Sequence, residues 1–177
     1  DIFGRGPSAT SCELSPAIPH VLTIGEIEQI TADYAQACAT LKDCGFDGAD
    51  LAFYDDQLPD QFWSPQTNHR RDGYGGVLEN RLRFSLDVLE AIRGAVGREF
   101  IVGARVSGDD RLPGGLSPEE LLEIIQRLDR TEQLDYFTVT GGTISTFRSR
   151  GWNIPSAYYG LGTFVTLAGR IRSTVNT

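Results

Sequence analysis

The chain has 177 residues, of which 24 are acidic and 16 basic, giving a net charge of -8 and a pI near 4.7. That length suffices for one domain with a real core, and the acidity argues against a nucleic-acid or anionic-membrane partner. No apolar run approaches the ~18 residues of a membrane span, and Cys12, Cys38 and Cys44 match no zinc or iron–sulfur spacing, so no metal site is expected.

Methionine is absent, which leads us to expect a processed product or a piece of a longer polypeptide. No signal-peptide pattern is visible, and three reduced thiols point to the cytoplasm. Residues 1–22 carry Gly, Ser and Pro without periodicity and read as a leading loop. Thr23 then opens a capping box closed by Glu26. Behind it Ile27, Ile30, Tyr34, Ala37, Cys38 and Leu41 recur at helical spacing, with Gly45 as the stop. Cys38 and Cys44 read as small packing residues. Phe46 to Phe53 is short, apolar and bounded by turn residues, a strand. A long loop is expected from there to Gly75 and Gly76. Leu78, Leu82, Leu86, Leu89, Ile92 and Val96 mark the next helix, and Gly97 ends it. Phe100 to Val106 is nearly all apolar, as in a strand covered on both faces. After a Pro/Gly loop, Ser117, Pro118 and Glu120 form a strong helix start, followed by the stripe Leu121, Leu122, Ile124, Ile125 and Leu128. Asp135 to Thr140 is a third strand. An irregular aromatic loop is expected from Thr143 to Leu161, and a last helix from about Thr163 to Ser173.

Helices alternating with short buried strands imply parallel strands joined by right-handed crossovers. Pattern alone leaves a doubly wound sheet and a TIM barrel open. In a barrel, three strands leave two unpaired edges and an uncovered interior. Further strands are therefore expected, on other segments or on a second chain in a homo- or hetero-oligomer.

Three stretches carry a specific resemblance: Cys44-Gly45-Phe46-Asp47-Gly48; Gln61-Phe62-Trp63-Ser64-Pro65 with Asn68, Arg70, Asp72, Tyr74, Gly75 and Gly76; and Glu79-Asn80-Arg81 with Arg83 and Phe84. Together they resemble the segment around the fourth barrel strand of the old yellow enzyme family of FMN-dependent oxidoreductases. Val102 to Ser107 is similar to that family's fifth strand, and Asp135 to Thr143 to its sixth. Pro155 to Tyr159 and Phe164 to Ile171 are similar to the segment leading to the seventh. The resemblance covers roughly residues 8–177. It implies an α/β fold that is part of a (β/α)8 TIM barrel, about strands 4 to 6 with flanking helices, residues 23–177 being successive βα units. Trp63 and the Pro113–Leu116 loop lean toward the branch with dienoyl-CoA reductases and amine-oxidising or demethylating dehydrogenases.

The resemblance further implies FMN at the C-terminal mouth. Arg105 matches the arginine facing the flavin N1–C2=O edge, where a fixed guanidinium stabilises charge on the reduced flavin. Other family contacts to the cofactor fall outside this sequence. The implied activity is hydride transfer between NAD(P)H or an amine donor and a small organic acceptor. Where the family places its His-x-x-His pair and following Tyr, this chain has Ala52, Asp55 and Gln57. None is a strong donor at neutral pH, and an ionised Asp55 repels a developing enolate, so alkene reduction by the usual route is not expected. Two readings stay open. Asp55, beside Asp56, binds a cationic amine or acts as a base, with Gln57 at the Tyr position. Alternatively, the chain is a non-catalytic barrel homologue that supports a partner chain. Arg70, Asp72, Glu79, Asn80 and Arg81 read as a buried staple, His69 as a surface residue, and Val77 as a missing helix cap.

Overall fold

The computed structural model describes residues 4–14 and 16–177. Two-residue strands β1 (Arg5–Gly6) and β2 (His20–Val21) pair in parallel. The helices and strands that follow are α1 (Ile24–Asp43), β3 (Gly48–Phe53), α2 (Leu58–Trp63), α3 (Leu78–Val96), β4 (Ile101–Ser107), α4 (Pro118–Asp129), β5 (Tyr136–Thr140), α5 (Phe147–Asn153) and α6 (Val165–Arg172). The main sheet is parallel, in the order β3-β4-β5. Its register sets Ala52 beside Arg105 and Arg105 beside Thr138.

Local chemistry accounts for the boundaries. Thr23 and Ser117 both close reciprocal capping boxes, with Glu26 and Glu120, each satisfying amides that a helix start leaves unpaired. Gly97, at φ 74°, ends α3 in a conformation that costs a residue with Cβ. Gly75 is fixed by space, since a Cβ there would lie 2.2 Å from the Arg70 carbonyl oxygen.

Side-chain alternation gives the sheet two unlike faces. Leu51, Phe53, Val102, Ala104 and Val106 point to one side and join a single core with Ile27, Trp63, Phe84, Leu89, Ile92, Ile124 and Leu128. The Trp63 indole is fully buried and donates to Ser85 Oγ at 2.9 Å, which satisfies its one polar atom. The opposite, open face carries Asp50, Ala52, Gly103, Arg105, Tyr136 and Thr138. Gly103 is required there, because the Tyr136 ring lies over it and a Cβ would come within 2.1 Å.

Four expectations need correction. Residues 4–22 are not simply loop: the amides of His20 and Leu22 reach back to the carbonyls of Gly4 and Gly6, a pairing that sequence without periodicity cannot announce, while residues 1–3 and 15 lie outside the described residues. The long loop after β3 contains α2, with Pro59 in its first turn and Phe62 and Trp63 buried; six residues are too few to show a helical period. The aromatic loop contains α5, capped by Thr146, and a 3-10 turn at Ala157–Tyr159. Cys38 is buried as expected, but Cys44 is exposed at the end of α1.

Candidate functional site

The C-terminal ends of β3, β4 and β5 share one rim, and the sequence-predicted residues lie on it or on the open face beneath. Arg105 sits on that face. Its Nη2 donates to Asp50 at 2.9 Å, and its guanidinium carbon lies 5.7 Å from the Tyr54 ring centre. The Tyr54 oxygen raises its pKa further, burial opposes that, and the Asp50 charge adds to the rise. Nε is shielded from solvent yet has no partner among the described residues. A pinned, permanently charged fork with an uncommitted N–H suits an anionic ligand edge.

Asp55 lies past the end of β3. It and Asp56 are consecutive left-handed residues, at φ 59° and 56°, a conformation that costs non-glycine residues about 1–2 kcal/mol each. The turn is held from three sides. The Asp56 amide donates to Asp60 Oδ2 at 3.0 Å, Gln61 Nε2 donates to the Asp56 carbonyl at 2.6 Å, and the Ser145 hydroxyl donates to Asp56 Oδ2. Asp55 is thereby left half-buried, with Oδ1 lacking a partner among the described residues. Burial, then the neighbouring Asp56, pushes its pKa up to about 6, against the opposing Ile144 amide and Arg150. Such a carboxyl exchanges protons near neutrality.

Gln57 is exposed at the start of α2 and its side chain makes no cap bond. Ala52 lies exposed on the open face beside Arg105. Thus the rim brings Asp55 and the Arg105–Tyr54 pair to one end of β3, with Gln57 exposed two residues further on at the N-cap of α2.

Sequence reasoning missed a second layer. Asp60 and Asp110 are buried beneath the rim. Burial first, then the charges of Asp110, Asp56 and Asp55, holds Asp60 well above the ordinary carboxylate range. Burial likewise raises Asp110, partly countered by the Ser107 hydroxyl. The Ser149 hydroxyl donates to the Asp110 carbonyl at 2.5 Å and receives the Thr143 amide at 2.8 Å, tying the loops after β4 and β5 together. One signal was available: Asp60 sits between Leu58-Pro59 and the aromatic pair Phe62-Trp63.

The staple forms, with one member changed. Arg70 is clasped by Asp72 at 2.6 Å and donates to the carbonyls of Pro7 and Leu22. Asn80 donates to the Gly75 carbonyl, and Arg81 to those of Gly76 and Trp63. Glu79 instead pairs at the surface with Arg127. His69 is exposed, and Val77 begins α3 without a side-chain cap.

A model of the NADH:flavin oxidoreductase / NADH oxidase family matches residues 4–146. The chain is 41% identical over 160 residues to a probable N-methylproline demethylase of Rhizobium meliloti, covering 90% of this chain and 24% of that protein. It is 38% identical over 151 residues to an N,N-dimethylglycine/sarcosine dehydrogenase of Chromohalobacter salexigens, covering 85% and 22%. Among solved structures, the 2-naphthoyl-CoA reductase complex superposes with a TM-score of 0.87 at 30% identity over 97% of this chain and 26% of that one. The chain thus spans about a quarter of these relatives, and its sheet is part of a (β/α)8 barrel whose interior the open face lines.

Proposed function

The chain belongs to the NADH:flavin oxidoreductase / NADH oxidase family, and on that footing we propose that the protein carrying it is an FMN-dependent oxidoreductase. It moves hydride between a reduced nicotinamide or an amine donor and a small organic acceptor. Bound FMN supplies the chemistry of accepting and returning a hydride. The observation that carries the reading is Arg105, held toward the barrel interior by Asp50 with its Nε uncommitted.

The residues at the family's usual donor positions favour amines over alkenes. An alkene reduced by conjugate hydride addition needs hydrogen-bond donors at the developing oxyanion. Ala52 has none, and Asp55 carries a negative charge once ionised. A substituted ammonium has the opposite need. Asp55 holds the cation, and with a pKa of about 6 it accepts the N–H proton, freeing the lone pair on which loss of hydride from the neighbouring carbon depends. The matched dehydrogenase and demethylase are both named for N-methyl amino acids, and we take that substrate class as the working one. In this scheme Gln57, exposed and at the family's Tyr position, orients substrate without exchanging protons.

The test is the visible spectrum of the intact, full-length protein. A flavin spectrum with FMN recovered on denaturation is expected, together with bleaching by an N-methyl amino acid under anaerobic conditions. Arg105→Met should weaken retention of the cofactor. Protein that stays colourless after incubation with excess FMN overturns the proposal and favours a non-catalytic barrel that supports a partner.

A further inference from the structure

A cavity of about 620 Å³ opens between the β4–α4 loop and α5; its lining includes Asp109, Arg111, Leu112, Arg148, Trp152 and Tyr159 but neither Asp55 nor Arg105. Arg111 is fixed within it from two directions. Asp109 takes the Arg111 amide on one carboxylate oxygen at 3.0 Å and its Nε on the other at 2.8 Å, while the guanidinium carbon lies 4.4 Å from the Trp152 ring centre. The Arg111 backbone is left-handed at φ 53°, strain that persists only where surroundings over-determine it and that gathers at ligand clamps. Arg148 also lines the cavity and has no ion-pair partner among the described residues. Two arginines against one carboxylate leave the lining with a net charge of +1.

We propose that this cavity is a binding site for a small organic carboxylate with a flat apolar body. Its lining mixes aromatic and aliphatic surface with a few convergent charged groups, a combination found in small-molecule sites. The planar Arg111–Trp152 stack and Tyr159 provide flat walls, and the outward edge of a guanidinium matches a carboxylate. A single surplus positive charge fits a monoanion better than a dianionic phosphate. Arg148 and Arg150 lie two residues apart on α5, about 200° around the helix. The cavity lining contains Arg148 but not Arg150, Asp55 or Arg105, so it is a site apart from theirs, independent of the flavin reading.

Calorimetric titration of the intact protein with sodium benzoate, with benzyl alcohol as the neutral counterpart, tests it. Benzoate should bind saturably, and benzyl alcohol about 10-fold more weakly or worse. Arg148→Gln, on an exposed side chain, should weaken benzoate by about 10-fold with an unchanged melting temperature, and Arg148→Lys should restore most of the affinity. Benzoate should also change the protein's fluorescence, a response that Trp152→Phe removes and the buried Trp63 does not supply. No saturable binding, equal binding of the alcohol, or full affinity in Arg148→Gln overturns the proposal. Colourless protein that binds benzoate in this pattern upholds it while sinking the oxidoreductase reading; yellow protein that does not bind does the reverse.

Discussion

The two ends of the β3-β4-β5 sheet are built to opposite rules. At the end where the strands begin, charged groups close the structure. Arg93 is buried and donates to the carbonyls of Gln133, Gly97 and Phe100 and to Asp135 at 2.6 Å. The same Asp135 oxygen receives the Val102 amide at 2.7 Å. Burial alone would raise the pKa of Asp135, but the Val102 amide and Arg93 outweigh it and hold it below the ordinary value. Lys42 caps the Val96 carbonyl at 2.7 Å. At the rim, two consecutive aspartates are left-handed, and Asp55 and Asp110 each keep an oxygen without a partner among the described residues. A barrel's lower end serves stability and its upper end serves chemistry, and here the division is legible in hydrogen bonding.

The largest expected effect is at the lower end. Arg93→Met leaves three carbonyls short of their donor and a half-exposed carboxylate with only the Val102 amide, and should cost about 2–4 kcal/mol, read by denaturant unfolding of the intact protein. A cost below about 1 kcal/mol would break the contrast.

Next comes Asp110. Its folded pKa, about 7, lies above its unfolded value, so the folded state holds a proton that the unfolded state loses first. The stabilising contribution is complete below pH ~4 and vanishes as pH rises through ~7. Asp110→Asn should flatten this fall, adding about 2–4 kcal/mol at pH 8 relative to wild type, with little change near pH 4. A variant whose stability falls with pH as steeply as the wild type would deny the rim its buried proton.

Asp55→Asn should slow reduction by an N-methyl amino acid about 100-fold and abolish the acid limb near pH 6 in stopped-flow traces. A retained limb would reassign that proton. The smallest effect concerns Val77. Its backbone is extended as a cap requires, at φ -65° and ψ 155°, but its side chain makes no hydrogen bond. Val77→Ser should add about 0.5–1 kcal/mol, read as a raised melting temperature. No gain would mean that the orphan amides of α3 are already satisfied.

Legibility in sequence follows the same division. The capping boxes at Thr23 and Ser117, the stripe of α4 and the apolar run of β4 are local signals, and the structure contains each of them. Arg105 stood out through the motif around it, and Asp55 through its place at the second position of the family's His-x-x-His pair. The Arg105–Asp50 pair and the Ser145–Asp56 bond join residues 55 and 89 positions apart, and Asp110 is buried only once the loops around it have closed. Such relations depend on strand register and loop closure, which no local period encodes. The helix α5 was missed because its seven residues, Phe147–Asn153, hold two arginines and a glycine and no apolar stripe.

The clip between β1 and β2 bears on how the protein would survive cleavage. Residues 9–18 include the exposed Ile18, while on either side the chain is fastened by the His20 and Leu22 amides and by the Arg70 guanidinium on Pro7 and Leu22. A protease that nicks this stretch should produce two bands on a denaturing gel from a particle that still migrates as one. The two sides of the nick would stay docked through the paired amides and the Arg70 guanidinium, and their separation on titrating denaturant would measure how firmly that seam is fastened.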